Sequence, residues 1–285
     1  MLSTVQSSDQ RSPAQDLLLP WRIAQHFRSH FALIWQVTQR DVLARYRGSY
    51  LGCFWSLLRP LAMLTLYTVV FGFIFQSRLG RSGTESKLDF TLALFCGLVL
   101  FDFFAECISR APTLILCNQN FVTRVVFPLE ILPVSIVGAA LIQLAVSLIP
   151  LLIAILCVHG AVPLTALYLP VILLPLVLFT LGASWFLASL GVFIRDINSF
   201  VPVGLQIVMF ASAIFYSIQR VPVRVLPVFM LNPLAVVIDQ ARNALLWGVA
   251  PHWLQYMSML GLGLVVLIGS YGFFMRTKSA FADVM

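Results

Sequence analysis

Six long stretches of this chain are apolar and almost free of charge, at about 57–77, 90–109, 131–158, 168–194, 201–219 and 254–275. That pattern admits one solvent, the lipid bilayer. A helix rises about 1.5 Å per residue, so about 20 apolar residues cross a hydrocarbon layer roughly 30 Å thick. Only 10% of the 285 residues are charged and 60% are hydrophobic, with a mean hydropathy of +0.95, whereas about a quarter of an ordinary soluble domain is charged. The sequence predicts an all-α integral membrane protein with six transmembrane helices. They form one domain, 57–275, between a cytoplasmic N-terminal segment, 1–56, and a short cytoplasmic tail, 276–285. Residues 1–16 are polar and Leu17-Leu18-Leu19 is too short for the apolar core of a signal peptide, so the first span is expected to insert the protein.

The formal charge of +7 is placed as membrane orientation requires, not as a nucleic-acid surface. Arg11, Arg22, Arg28, Arg40, Arg45, Arg47 and Arg59 precede or open the first span. With the N-terminus inside, the inner segments add Arg110, Arg124, Arg195, Arg276 and Lys278. The outer loops hold Arg78, Arg81, Lys87, Arg220, Arg224 and Arg242. Twelve basic residues inside against six outside place both termini in the cytoplasm. The five cysteines have no metal-binding or disulfide spacing and read as small buried hydrophobes.

Two segments differ from the spans. Over 22–44, Ile23, Phe27, Phe31, Ile34, Trp35, Thr38 and Val42 recur at helical spacing, with Arg22 and Arg40 on the other side. This predicts an amphipathic helix in the cytoplasmic headgroup layer. Between spans 5 and 6, Leu231-Asn232-Pro233-Leu234 resembles a helix start and Gly248 a stop. A short, half-apolar helix here is expected to dip back from the outer surface, which is tolerated only where backbone is buried in protein or lines a cavity.

The chemistry the chain carries is limited. It has no GxxxxGK[ST] run to cradle a nucleotide phosphate, and no HExxH or GxSxG motif. His26 and His30 lie four residues apart without an evident third metal ligand and read as surface residues of the interfacial helix. Asp102 and Glu106 lie one turn apart near the inner end of span 2. They either pair with arginines such as Arg110 or Arg59, or hold Mg²⁺ in an enzyme acting on lipid phosphates. Tyr67, Trp185 and Tyr216 are candidates to line a conduit, since sugar rings stack on aromatic faces. No span shows a clear GxxxG dimerisation face, Gly138 and the Gly261/Gly263 pair being the nearest to one. No internal repeat of the secondary-transporter kind is present.

The order of these features resembles the membrane subunit of polysaccharide ABC exporters, over about Trp21 to Asp283. The resemblance rests on Arg40-Asp41-Val42-Leu43-Ala44-Arg45-Tyr46-Arg47-Gly48-Ser49 with Leu51-Gly52, Trp55 and Pro60, then Asn120-Phe121-Val122-Thr123-Arg124-Val125-Val126-Phe127-Pro128-Leu129-Glu130-Ile131-Leu132-Pro133. Gly191-Val192-Phe193-Ile194-Arg195-Asp196-Ile197 and Leu231-Asn232-Pro233-Leu234 with Gln240-Ala241-Arg242 complete it. It implies a homodimeric permease in the inner membrane, resting on two copies of a separate ATPase that binds ATP and Mg²⁺, with no cofactor on this chain. It assigns the amphipathic helix and the 110–130 loop to ATPase contact, which makes Asp102, Glu106, Arg110, Arg124 and Glu130 coupling candidates. The segment 231–248 becomes an outer gate of re-entrant helices, with Asn232, Pro233, Asp239 and Arg242. The substrate implied is a lipid-linked, O-antigen-like glycan. Its diphosphate is expected to meet Arg40, Arg45 and Arg47, which topology and headgroup binding explain equally well. A membrane transferase acting on polyprenyl-phosphate sugars, and an exporter of small molecules, are the competing readings.

Overall fold

The computed structural model describes residues 27–46, 54–70, 87–120, 127–216, 224 and 226–281. Among these every regular element is helical. In chain order they are α1 (Phe31–Tyr46), α2 (Phe54–Tyr67), α3 (Lys87–Arg110), α4 (Ile131–His159), α5 (Leu169–Phe193), α6 (Ile197–Ala211), α7 (Leu226–Leu231), α8 (Pro233–Leu246) and α9 (Trp253–Thr277). Short 3₁₀ turns at Leu116–Asn118, Leu164–Tyr168 and Lys278–Ala280 link or extend them.

Four apolar helical segments are long enough to cross a membrane: Leu88–Arg110, Ile131–His159, Leu164–Phe193 and Trp253–Ala280. They match the expected spans 2, 3, 4 and 6. Spans 1 and 5 correspond to shorter apolar helices, Leu57–Val70 and Ile197–Ala211. Residues 71–77 of the first lie outside the described residues. The fifth differs from expectation: its helix begins four residues early and stops at Ala211, not near 219. Its 15 residues cover only about 22 Å, short of the roughly 30 Å of hydrocarbon.

The most extensive helix–helix contact is α5 with α9, and small residues make it possible. A Cβ on Gly182 would lie 2.9 Å from the Leu267 backbone, and one on Gly263 2.9 Å from the Pro175 carbonyl. Helices in lipid associate through such close approach because burial of apolar surface offers little gain there. α3 is the central helix, touched by α2, α4, α5, α6 and α8, and Ala93, Leu94, Leu100 and Cys107 on it are completely buried.

α1 lies along α4. Val37 and Thr38 are buried against it, and Gly138 leaves the room Thr38 occupies, since a Cβ there would come within 3.1 Å of the Thr38 hydroxyl. Gly138 and Gly263 thus serve contacts within the chain. The predicted apolar face of the interfacial helix divides in two: Phe27, Val37 and Thr38 turn to the bundle, while Phe31 and Trp35 are exposed. Of the cysteines, Cys96 and Cys107 are buried as expected, but Cys117 and Cys157 are exposed.

The two ends of the bundle are marked by paired polar side chains. Asp89, in the first turn of α3, meets His159 at the end of α4, with Nε2 to Oδ1 at 2.8 Å. Tyr168, Trp253 and Tyr256 cluster edge-to-face with centroids about 6 Å apart, at the ends of the Leu164–Tyr168 turn and α9, as aromatic residues do at a membrane–water boundary. At the opposite end Arg110 meets Asp41, and Lys278 meets Glu130. Past the expected boundary at 275 the helix α9 runs on to Thr277, and Phe281 is completely buried against Phe274 and Phe193.

Candidate functional site

A helix end leaves its last four carbonyls without intrahelical partners, and α6 ends among apolar side chains. The sequence answers this with four side chains. Ser212 Oγ donates to the Val208 carbonyl at 2.6 Å, and Tyr216 OH to Phe210 at 2.7 Å. Asn232 Nδ2 donates to the Ala211 carbonyl at 3.2 Å and to Ser212 Oγ at 3.0 Å. Arg242 then reaches the turn beyond, with Nη1 to the Ala213 carbonyl at 3.0 Å and Nη2 to Ile214 at 2.6 Å. Its Nε donates to the Ala93 carbonyl of α3 at 2.7 Å. One guanidinium therefore ties α8, α3 and the broken end of α6 together.

The charge suits the place. A helix C-terminus carries partial negative charge, and a cation against it is favourable. Arg242 is only 3% exposed. Burial pulls its pKa below the ordinary value, and its neighbours Cys96 and Asp239 act the other way; a guanidinium stays protonated regardless. The space for it is made by Gly97, where a Cβ would lie 2.6 Å from Nη2. Ala213, at φ 51°, adopts the left-handed conformation that ends the helix.

The same residues begin α8. Asn232 Oδ1 accepts from the Leu234 amide at 3.0 Å, and Pro233 occupies the first turn, where a missing N–H costs nothing. The expected helix start at Asn232-Pro233 is therefore present. Thr165 Oγ1 donates to the Ala244 carbonyl near the other end of α8, and Asp239 accepts from Asn243 Nδ2 at 3.0 Å. Nearly every residue of α8 is buried, against α3, α5 and α9.

The opposite end of the bundle holds the charged residues the sequence singled out. Arg110 lies 3.7 Å from Glu106 on its own helix and 3.7 Å from Asp41 on α1, while Arg40 reaches Asp41 at 3.3 Å. α1 is thereby tied to the end of α3. Glu130 is only 3% exposed, immediately before α4, where a helix N-terminus favours an acid. Its Oε2 accepts from Lys278 Nζ at 2.7 Å and its backbone carbonyl from Trp185 Nε1 at 3.0 Å. Trp185 packs on Tyr271 at 5.1 Å and on Phe27 at 5.7 Å. The loop before α4, helices α5 and α9, the residues leading into α1 and the C-terminal segment all meet here.

One expected role needs correction. Trp185 is completely buried in the core, so it does not line a conduit. The Tyr216 hydroxyl is engaged by Phe210, and its ring packs edge-on to Phe229, which makes it part of the α6 closure. Tyr67 is half-buried against the core. Glu106 has Arg110 beside it, and Asp102 has Arg59 as electrostatic neighbour, so cations stand where a carboxylate-held Mg²⁺ was weighed. Arg40 is exposed; the side chain of Arg45, and Arg47 and Arg124 entirely, lie outside the described residues. Asp41, Lys278 and Phe27 were missed as partners, because their contacts with Arg110, Glu130, Trp185 and Tyr271 are distant in sequence and no local pattern announces them.

A bundle of long apolar helices, closed by buried polar contacts and flanked by charged ends, is a multi-pass integral membrane protein. Residues 32–246 match the family model of the ABC-2 type transporters, and the chain belongs to that family. Among its relatives, the O-antigen export system permease protein RfbA of Klebsiella pneumoniae is 28% identical over 258 residues, 90% of this chain and 95% of the relative. RfbA of Myxococcus xanthus is 26% identical over 92% of this chain and 98% of the relative. The polysialic acid transport protein KpsM of Escherichia coli is 24% identical over 78% and 85%.

Proposed function

We propose that this chain is the permease subunit of an ATP-driven exporter that moves a lipid-linked polysaccharide of O-antigen type across the inner membrane. The observation that carries the reading is the near-full-length match to relatives named for O-antigen export, with the polysialic acid transporter next. No phosphate-binding loop occurs in the sequence, so hydrolysis belongs to a separate ATPase. Two ATPase copies serve two copies of this chain.

Six spans follow when α2 and α6 are counted with the four long helices, and both termini then lie in the cytoplasm. α7 and α8 form the re-entrant outer gate, hung on α6 and α3 by Asn232 and Arg242. α1 and the loop before α4 meet the ATPase. Force on them passes through Asp41–Arg110 and through Glu130 with Trp185 and Lys278, since movement is transmitted only where contacts are stiff and have two arrangements. Arg40, Arg45 and Arg47 receive the diphosphate of the substrate at the inner leaflet.

The test is deletion and restoration of the gene, with surface polysaccharide and internal lipid-linked glycan assayed together. Surface loss with internal accumulation, reversed by the gene, is expected. Loss without accumulation would move the protein to synthesis, and no change in either pool would remove the glycan from its function.

A further inference from the structure

α3 is the most enclosed of the long helices: 83% of its apolar stretch is buried, against 22–28% in the other three. Its inner half nevertheless opens along one stripe. Asp102 and Ser109 are exposed and Ala105 and Glu106 partly so, while Phe101, Phe103, Phe104, Cys107 and Ile108 between them are buried. Positions 102, 105, 106 and 109 share one helical face. Every residue on it is small or polar.

Lipid does not suit such a face. Asp102 lies eight residues inside Arg110, or about 12 Å along the helix. Its side chain is too short to reach the headgroups as a lysine or arginine does, and a carboxylate deep in hydrocarbon costs roughly 2.5–3.5 kcal/mol even on the most lenient scale. What lies beside it across α2 is also polar: Arg59, which is exposed, and Tyr67, both within electrostatic reach of Asp102. Carboxylates that only accept, a guanidinium that only donates and hydroxyls that do both line this surface, and its two carboxylates are balanced by Arg59 and by Arg110 beside Glu106. It offers partners to sugar hydroxyls without holding them by charge.

We infer that the open face of α3, with Asp102, Ala105, Glu106 and Ser109, and Arg59 of α2 beside it, is a wall of the water-filled path, touched by the hydroxyl-rich chain in the inner half of the membrane. The contact with polymer rests on the proposed function; the wetness of the face does not. Asp102 is accordingly a path-lining residue and not an ATPase contact.

The experiment uses the complete transporter in inside-out membrane vesicles, with Cys53, Cys117 and Cys157 replaced by serine. Ala105→Cys and Ser109→Cys are near-isosteric, and Phe103→Cys and Phe104→Cys supply the buried comparison. A membrane-impermeant cationic methanethiosulfonate is the probe. Cysteines at 105 and 109 are expected to react about tenfold faster than those at 103 and 104, because only a wet thiol ionises readily. Equal rates at all four positions would overturn the wall, whether lipid or a second copy covers it. Labelling is then compared in vesicles from cells that make the lipid-linked glycan and from cells blocked in its synthesis. Slower reaction at 105 with glycan present is expected; equal rates would overturn the polymer contact. If gene deletion leaves both glycan pools unchanged, the proposed function fails, while fast labelling at 105 and 109 still marks a wet face.

Discussion

Arg242 Nη1 donates to the carbonyl of Ala213 at 3.0 Å, across 29 residues of sequence, and so fixes where α6 stops. The local sequence, Phe210-Ala211-Ser212-Ala213-Ile214-Phe215, contains neither glycine nor proline. A left-handed alanine costs roughly 1–2 kcal/mol, and the distant guanidinium offsets that by serving two freed carbonyls. Arg242→Leu strands them in an apolar setting, at about 1–3 kcal/mol each. The variant should lose roughly 2–6 kcal/mol of stability, read as a lower thermal midpoint in detergent. Arg242→Lys keeps the charge but not the planar fork, and should fall between the two.

Gly97 and Arg242 should behave as one unit. Gly97→Ala places a methyl group 2.6 Å from Nη2, and such overpacking costs about 1–3 kcal/mol. Because the damage is displacement of Arg242, Gly97→Ala added to Arg242→Leu should cost much less than it does alone. Thermal midpoints of the four proteins decide the matter: strict additivity would show that Gly97 acts independently.

The long spans, the helix start at Asn232-Pro233 and the charge on Glu106, Arg110 and Glu130 were legible in the sequence, because hydropathy and capping are local signals. The break after Ala211 was not, since its cause lies in Arg242 and Asn232. Trp185 was misread for a different reason. In a membrane protein the core, the lipid face and an aromatic-lined path are all apolar, so composition does not separate them. The indole N–H of Trp185, bound to the Glu130 carbonyl, does so only once the fold is known. Asp102 was visible as a costly charge, but the openness of its face appears only when the enclosure of its neighbours is seen.

Glu130 and Lys278 form a pair whose removal should be asymmetric. The Glu130 side chain is only 4% exposed and the Lys278 side chain 30%. Lys278→Met abandons a buried carboxylate, at roughly 3–5 kcal/mol. Glu130→Gln leaves a lysine that can turn to water and should cost clearly less. The double variant should recover a large part of the Lys278→Met loss. Thermal unfolding of the three variants gives the coupling energy directly, and a double variant worse than Lys278→Met would contradict the pairing.

Tyr216→Phe separates closure of α6 from contact with substrate. It removes the bond to the Phe210 carbonyl, worth about 0.5–1.5 kcal/mol, but keeps the ring against Phe229. A small fall in thermal midpoint with unchanged export is expected. Export lost at full stability would return Tyr216 to the path.

Asp41 and Arg110 offer the sharpest test of coupling, because their stability contribution is small. Their side chains are 13% and 39% exposed at 3.7 Å, and pairs of that kind contribute about 0–1 kcal/mol. Asp41→Asn and Arg110→Gln should therefore leave thermal midpoints nearly unchanged. If the pair carries motion from α1 to α3, each should lower glycan exported per ATP hydrolysed severalfold. The double variant should be no worse than the poorer single one, since both break a single link. Additive losses of flux would mean that the two residues act through separate contacts, and losses matched by equal falls in stability would reduce the pair to a structural one.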